Sequence, residues 1–183
     1  MTPRPCTDEI AIPHRPDVPG LRFRRWRGVD DLVGMAASNQ RARDHAGVEE
    51  VVDVEAMTRT YTHLAHSDLA LDLVVVERDG STIGYVRVDW NDLTNGERQF
   101  FSFCVLEPAE RGQGIGQAML SWSEDRLAQI VAEVSKRPAW PAHRVHLGLY
   151  ESLGFEVASQ AAASGRPQDE PAAIGAPSVR SDR

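Results

Sequence analysis

Apolar positions recur along this chain with two different spacings, and the blocks they form follow one another in a definite order. Leu21–Trp26 (LRFRRW) alternates apolar and basic residues, a period of two that predicts a first strand. Asp30 stands where a helix N-cap is expected, and Leu32, Val33, Met35 and Ala36 supply the apolar stripe of a helix after it. Residues 54–66 (VEAMTRTYTHLAH) predict a second helix. Leu69–Glu77 and Ser81–Trp90 then read as a hairpin around Arg78-Asp79-Gly80, with Asp-Gly at its turn. In its first arm Leu71, Leu73, Val74, Val75 and Val76 form a near-continuous run, the pattern of a strand covered on both faces. A polar connection over Asn91–Glu97 leads to Phe100–Leu106, which is too short for a buried helix and is bounded by Pro108, so it reads as a central strand. Beyond it Met119, Leu120, Trp122, Leu127, Ile130, Val131 and Val134 recur at intervals of three and four, an amphipathic helix that starts inside a glycine run.

The two ends lack such periods. Residues 1–19 carry five prolines and predict an extended, flexible N-terminal arm. Residues 135–147 (SKRPAWPAHRVHL) are broken by Pro138 and Pro141, and only Arg144–Leu147 offers a strand. Residues 158–183 have almost no apolar content beyond Ile174 and Val179, and are expected to be disordered. Strand, two helices, three strands and a helix make an α/β (α+β) domain, assigned to residues 20–157.

Composition narrows the function. The 183 residues suffice for one domain with a real core, and 42% hydrophobic content is that of a globular protein. A net charge of −7 argues against nonspecific binding to nucleic acid or to an anionic membrane, both of which need a basic face. Cys6 and Cys104 give neither a disulfide framework nor a metal spacing, and no metal is expected. Cys104 reads as a packing residue, and His63, His66, His143 and His146 as surface or packing residues. Nothing resembles a signal peptide or a membrane span, so the expected compartment is the cytoplasm.

The chemistry is expected at Arg111-Gly112-Gln113-Gly114-Ile115-Gly116. A glycine-rich turn between a buried strand and a helix N-terminus is an anion site, because the first helical N–H groups lack intrahelical partners and the helix dipole is positive there. The absence of side chains at the three glycines lets a phosphate approach the backbone. A nucleotide P-loop is excluded, since no Lys-Ser or Lys-Thr follows, and the dinucleotide fingerprint G-x-G-x-x-G meets Gln117 where its third glycine belongs.

What remains, Arg-x-x-Gly-x-Gly after a strand and a proline, resembles the acyl-coenzyme-A loop of the GCN5-related N-acetyltransferase (GNAT) superfamily, V-x-P-x-x-[RQ]-G-x-G-x-[GA]. Leu106, Pro108, Arg111, Gly112, Gly114 and Gly116 stand in register, with Leu for the usual Val. Leu149-Tyr150-Glu151-Ser152-Leu153-Gly154-Phe155 is similar to a second family segment, L-Y-E-x-L-G-F. The resemblance implies a mixed, mainly antiparallel sheet flanked by helices on both faces. It also implies an acetyl-CoA-dependent N-acyltransferase acting on a small-molecule or peptide amine by direct attack. Within that scheme the loop residues Arg111, Gly112, Gln113, Gly114, Ile115 and Gly116 hold the coenzyme's diphosphate. Val105 and Leu106 pair with its pantetheine amides, and Tyr150 protonates the departing thiolate. The base is left open among Asp89, Glu97, Glu107 and a bound water.

The chain departs from the family pattern near its C-terminus. His143 holds the position usual for Asn, and no closing strands are legible after Phe155. Two readings follow: a truncated or frame-altered relative, or a homodimer in which a second subunit completes the sheet. The rival to an active transferase is a catalytically inactive acyl-CoA-binding or regulatory module.

Overall fold

The computed structural model describes residues 8–94, 98–134 and 147–149. Five strands lie in chain order in one sheet: β1 (Leu21–Arg25), β2 (Leu73–Arg78), β3 (Ser81–Asp92), β4 (Arg98–Leu106) and β5 (Leu147–Leu149). The first four are antiparallel neighbours, and β5 runs parallel to β4. Helices α1 (Asp31–His45), α2 (Val54–Thr62), the single turn α3 (Leu69–Asp72) and α4 (Ile115–Val134) complete the fold. This is the expected mixed, mainly antiparallel α+β architecture.

The apolar run of β2 serves two cores, which is why it lacks alternation. Leu73 and Val75 join Leu32, Met35 and Ala42 of α1, Tyr61 of α2, and Tyr85 and Val105. Val74 and Val76 point the other way, to Phe23, Val86, Phe100 and Leu106 and to Ile115, Ala118, Met119, Trp122, Leu127 and Ile130 of α4. Helices therefore cover both faces of the sheet. The β2–β3 turn is the Asp-Gly turn read from the sequence, with positive φ at Asp79 (50°) and Gly80 (83°).

Three local expectations are corrected. The strand assigned from Leu69 starts at Leu73, because Asp68 caps a helical turn through Ala70 N–H while its own N–H donates to Asp72 (2.7 Å). Leu71 accordingly leaves the core and is exposed. Asp30 holds the N-cap position of α1 without a side-chain capping bond; Asp31 instead accepts from Arg27 N–H (2.8 Å) and binds the Arg24 guanidinium (2.8 and 2.9 Å). Helix α2 ends at Thr62 rather than residue 66, where His63 N–H turns back to the Thr60 carbonyl. Of the late strand expected at Arg144–Leu147, residues 144–146 lie outside the described residues, and Leu147 opens the strand Leu147–Leu149.

Residues 8–19, expected within a flexible arm, are held against the sheet. Ile10 N–H donates to the Phe23 carbonyl and Arg25 N–H to that of Asp8, each at 2.9 Å, while Ile12 is buried in the α4-side core. Ile10 and Ile12 give this proline-rich segment enough apolar area to dock on the outer edge of β1.

Candidate active site

Strand β4 stops at Leu106, and Pro108–Glu110 forms one 3-10 turn before the glycine run. Gly112 and Gly114 take left-handed φ values of 76° and 82°, which only glycine adopts without strain. Ile115 is fully buried and anchors the first turn of α4 in the core. The backbone around it stays unspent. Amides from Gly112 to Gln117 donate to no protein acceptor among the described residues, and Ala118 N–H, 3.1 Å from the Gly114 carbonyl, is the first to enter the helical ladder. A helix N-terminus with open amides beside two left-handed glycines can hold a polyanion.

The loop is braced from below. Arg111 Nη2 lies 3.4 Å from the Leu106 carbonyl, tying the loop to the end of the strand. Arg78 donates to Glu110 (2.7 Å), and the Gln113 amide reaches the same carboxylate (3.3 Å). Strand β4 has β3 along its whole length on one side. On the other, β5 pairs with Phe100, Phe101 and Ser102. Residues 103–106 therefore offer an edge that no strand among the described residues occupies. That edge leads straight to the glycine loop.

On the α1 side of the same strands lies a cavity of about 380 Å³, walled by α1, α2, β3 and β4. Tyr61, Tyr85, Arg87 and Phe103 line its inner part. Asn39 donates to the Tyr85 hydroxyl (3.3 Å), and the two tyrosines are hydrogen-bonded to each other. Burial pushes the Tyr85 hydroxyl well above the usual tyrosine range and raises Tyr61 as well, so both are neutral at pH 7.

The sequence profile of the acetyltransferase (GNAT) domain matches residues 70–157, the stretch that holds the hairpin, the central strand, the glycine loop and the long helix. The likeness to the GNAT domain covers a little under half of the chain. A GCN5-related N-acetyltransferase from Sphaerobacter thermophilus is 21% identical, with a TM-score of 0.52 over 64% of this chain and 34% of that one. The present chain thus spans about a third of that protein's length. Two further solved structures are a predicted acetyltransferase with acetyl-CoA from Clostridium acetobutylicum and a GNAT family acetyltransferase from Brucella melitensis in complex with acetyl-CoA. The first is 22% identical over 75% of this chain and 90% of that one, with a TM-score of 0.48. The second is 18% identical over 75% and 83%, with a TM-score of 0.46. No curated protein matches the sequence.

Within the GNAT frame, the residues singled out from sequence fall into two groups. Val105, Leu106, Arg111, Gly112, Gln113, Gly114, Ile115 and Gly116 lie together at the junction of β4 and α4. Tyr150 lies outside the described residues, as do Glu97, His143 and His146. Of the carboxylates considered as bases, Glu107 is engaged by Arg41 (2.5 Å). Asp89 lies on the cavity side of β3, 3.1 Å from Arg87, and burial raises its carboxyl above the usual range against the pull of Arg87. Among the described residues no three His, Cys, Asp or Glu side chains group as a metal centre. No helix among them is long and apolar enough to cross a membrane.

The sequence reading passed over Asn39, Tyr61, Tyr85 and Arg87. One signal was available: in Tyr85-Val86-Arg87-Val88-Asp89 three polar side chains alternate with two valines, which puts all three on one face of a buried strand. Phe103 lines the cavity, whereas Phe100 faces α4 as core.

Proposed function

We propose that this chain transfers an acetyl group from acetyl-CoA to an amine by direct attack of the amine on the thioester. The observation that carries the reading is the run of unspent amides at the start of α4, placed at the end of a strand whose outer edge over residues 103–106 is unoccupied among the described residues. The coenzyme's diphosphate sits on the amides of residues 112–117, each charge-assisted bond contributing about 1.5–3 kcal/mol. Its pantetheine arm lies along residues 103–106 of β4 and pairs with Val105 and Leu106 as an added strand would. A backbone N–H near Leu106 faces the carbonyl oxygen as charge develops on it.

The amine enters from the α1 side, through the cavity. Asp89 is the carboxylate best placed to accept its proton, since burial makes it a stronger base than an exposed aspartate. Tyr150, which follows Leu149 of β5 in sequence, is assigned the return of a proton to the coenzyme A thiolate on the strength of the family motif. The domain is assigned to residues 20–157, and the acceptor is a small molecule or a peptide amine.

The test follows free thiol release from acetyl-CoA against a panel of amines, with the acetylated product identified by mass spectrometry. Release that requires both substrates, and that falls about 10–1000-fold in kcat on Tyr150→Phe with little change in coenzyme affinity, is the expected result. Coenzyme A at 100 times its Kd should also stabilise the fold by about 2.7 kcal/mol. Stabilisation without thiol release would make the chain a binding module, and the absence of both would end the reading.

A further inference from the structure

The inner wall of the cavity beside β3 contains a cation whose donors are not filled. Arg87 stacks over Tyr61 with its guanidinium carbon 5.0 Å from the ring centroid, and stands 6.0 Å from that of Phe103. Its side chain is only 14% exposed, yet Nε and Nη1 have no hydrogen-bond partner among the described residues. Asp89 engages Nη2 alone, at 3.1 Å. A buried guanidinium has five N–H donors, and leaving several unmet costs the full desolvation of those groups. Native structures fill such donors, and Arg87 is one of the residues that line the cavity.

The other charges at the cavity do not supply the missing acceptor. Arg43 and Glu50 are paired with each other at 2.5 Å, and the Asp53 carboxylate caps α2 by accepting from Glu55 N–H. Glu50 and Asp53 are both exposed and give the rim a negative character. The cavity thus presents carboxylates at its mouth and an unfilled guanidinium, flanked by aromatic rings, at its inner end. That pattern complements a molecule with an amine and an anionic group.

We propose that Arg87 binds a carboxylate of the acceptor, so that the substrates are amino acids or other small amines bearing a carboxylate. The inference rests on the acyl-transfer reading above and narrows its acceptor class. Arg87 is the register partner of Phe103, one residue beyond Ser102, the last position paired with β5 among the described residues. A carboxylate held there places the remainder of a small acceptor beside the open edge of β4. A volume of about 380 Å³ accommodates a molecule of amino-acid size.

The experiment compares α-amino acids with their decarboxylated amines, pair by pair, using the full chain and acetyl-CoA. The carboxylated member of the preferred pair should have the higher kcat/KM by at least about tenfold, the loss expected when a buried charge pair goes unmade. Arg87→Met should abolish that preference mainly through KM, and Arg87→Lys, which keeps the cation, should retain part of it even if the Met variant folds poorly. Equal use of both members by the wild type, or a preference that survives Arg87→Met, would overturn the proposal while leaving acetyl transfer established. Should no acceptor be turned over, calorimetric titration of the same pairs into the coenzyme A-saturated protein decides the matter. Binding of the carboxylated probes that is lost in Arg87→Met sustains the proposal; binding that ignores Arg87, or no binding at all, refutes it.

Discussion

Cys104 sits in β4 against the α4-side core, with its sulfur 3.6 Å from the Ser102 hydroxyl, and burial pushes its thiol from the ordinary 9.0 up to about 11. A thiol so placed is neutral at pH 7 and is no acyl carrier. Because its folded value lies above the unfolded one, the folded chain holds a proton that the unfolded chain has lost. The stability linked to it is present below pH 9 and disappears as pH rises through about 11, a difference on the order of 3 kcal/mol. Urea melts between pH 8 and 11 should therefore show a shallower alkaline decline in Cys104→Ala than in the wild type. Parallel declines would mean that the thiol is solvated. The packing role of Cys104 was legible from an apolar run, whereas the role of Gly84 was not. A Cβ on Gly84 would stand 2.4 Å from the Val105 carbonyl oxygen, a close approach between neighbouring strands that no single-strand pattern reveals.

At the scale of elements, periodicity located both long helices and the four antiparallel strands, because each buries one stripe or one face continuously. It failed where a few polar side chains override the pattern. Asp68 and Asp72 turn Leu69–Asp72 into a helical turn, although its leucines read as the start of a strand. The N-terminal segment failed for the opposite reason: five prolines hide two isoleucines that suffice to dock it. Pro16 of that segment lies 3.4 Å from where a Gly114 Cβ would stand, so the docked segment also flanks the proposed coenzyme loop. Ile12→Ala should lower stability by about 2–4 kcal/mol in a denaturant melt, the cost of truncating a buried isoleucine. A loss under about 0.5 kcal/mol, the size of an ordinary surface substitution, would return the segment to the status of a free arm.

Across the whole molecule, the proposed chemistry gathers where the two cores meet the end of β4. The coenzyme half of the site was legible because eight contiguous or nearly contiguous residues, Val105 to Gly116, carry it in one strand–loop–helix unit. The acceptor half was not, because Asn39, Tyr61 and Arg87 come from α1, α2 and β3 and meet only once the sheet has formed. The likeness to GNAT domains stands on the matched profile over residues 70–157. What the proposed function adds is a claim about particular amides: those from Gly112 to Gln117 bind the diphosphate of coenzyme A. Nitrogen-15 NMR of the full chain during a coenzyme A titration reads those amides one by one. Large, saturable downfield proton shifts concentrated in Gly112–Gln117 are the predicted result, and a titration that leaves those six signals unmoved would contradict it.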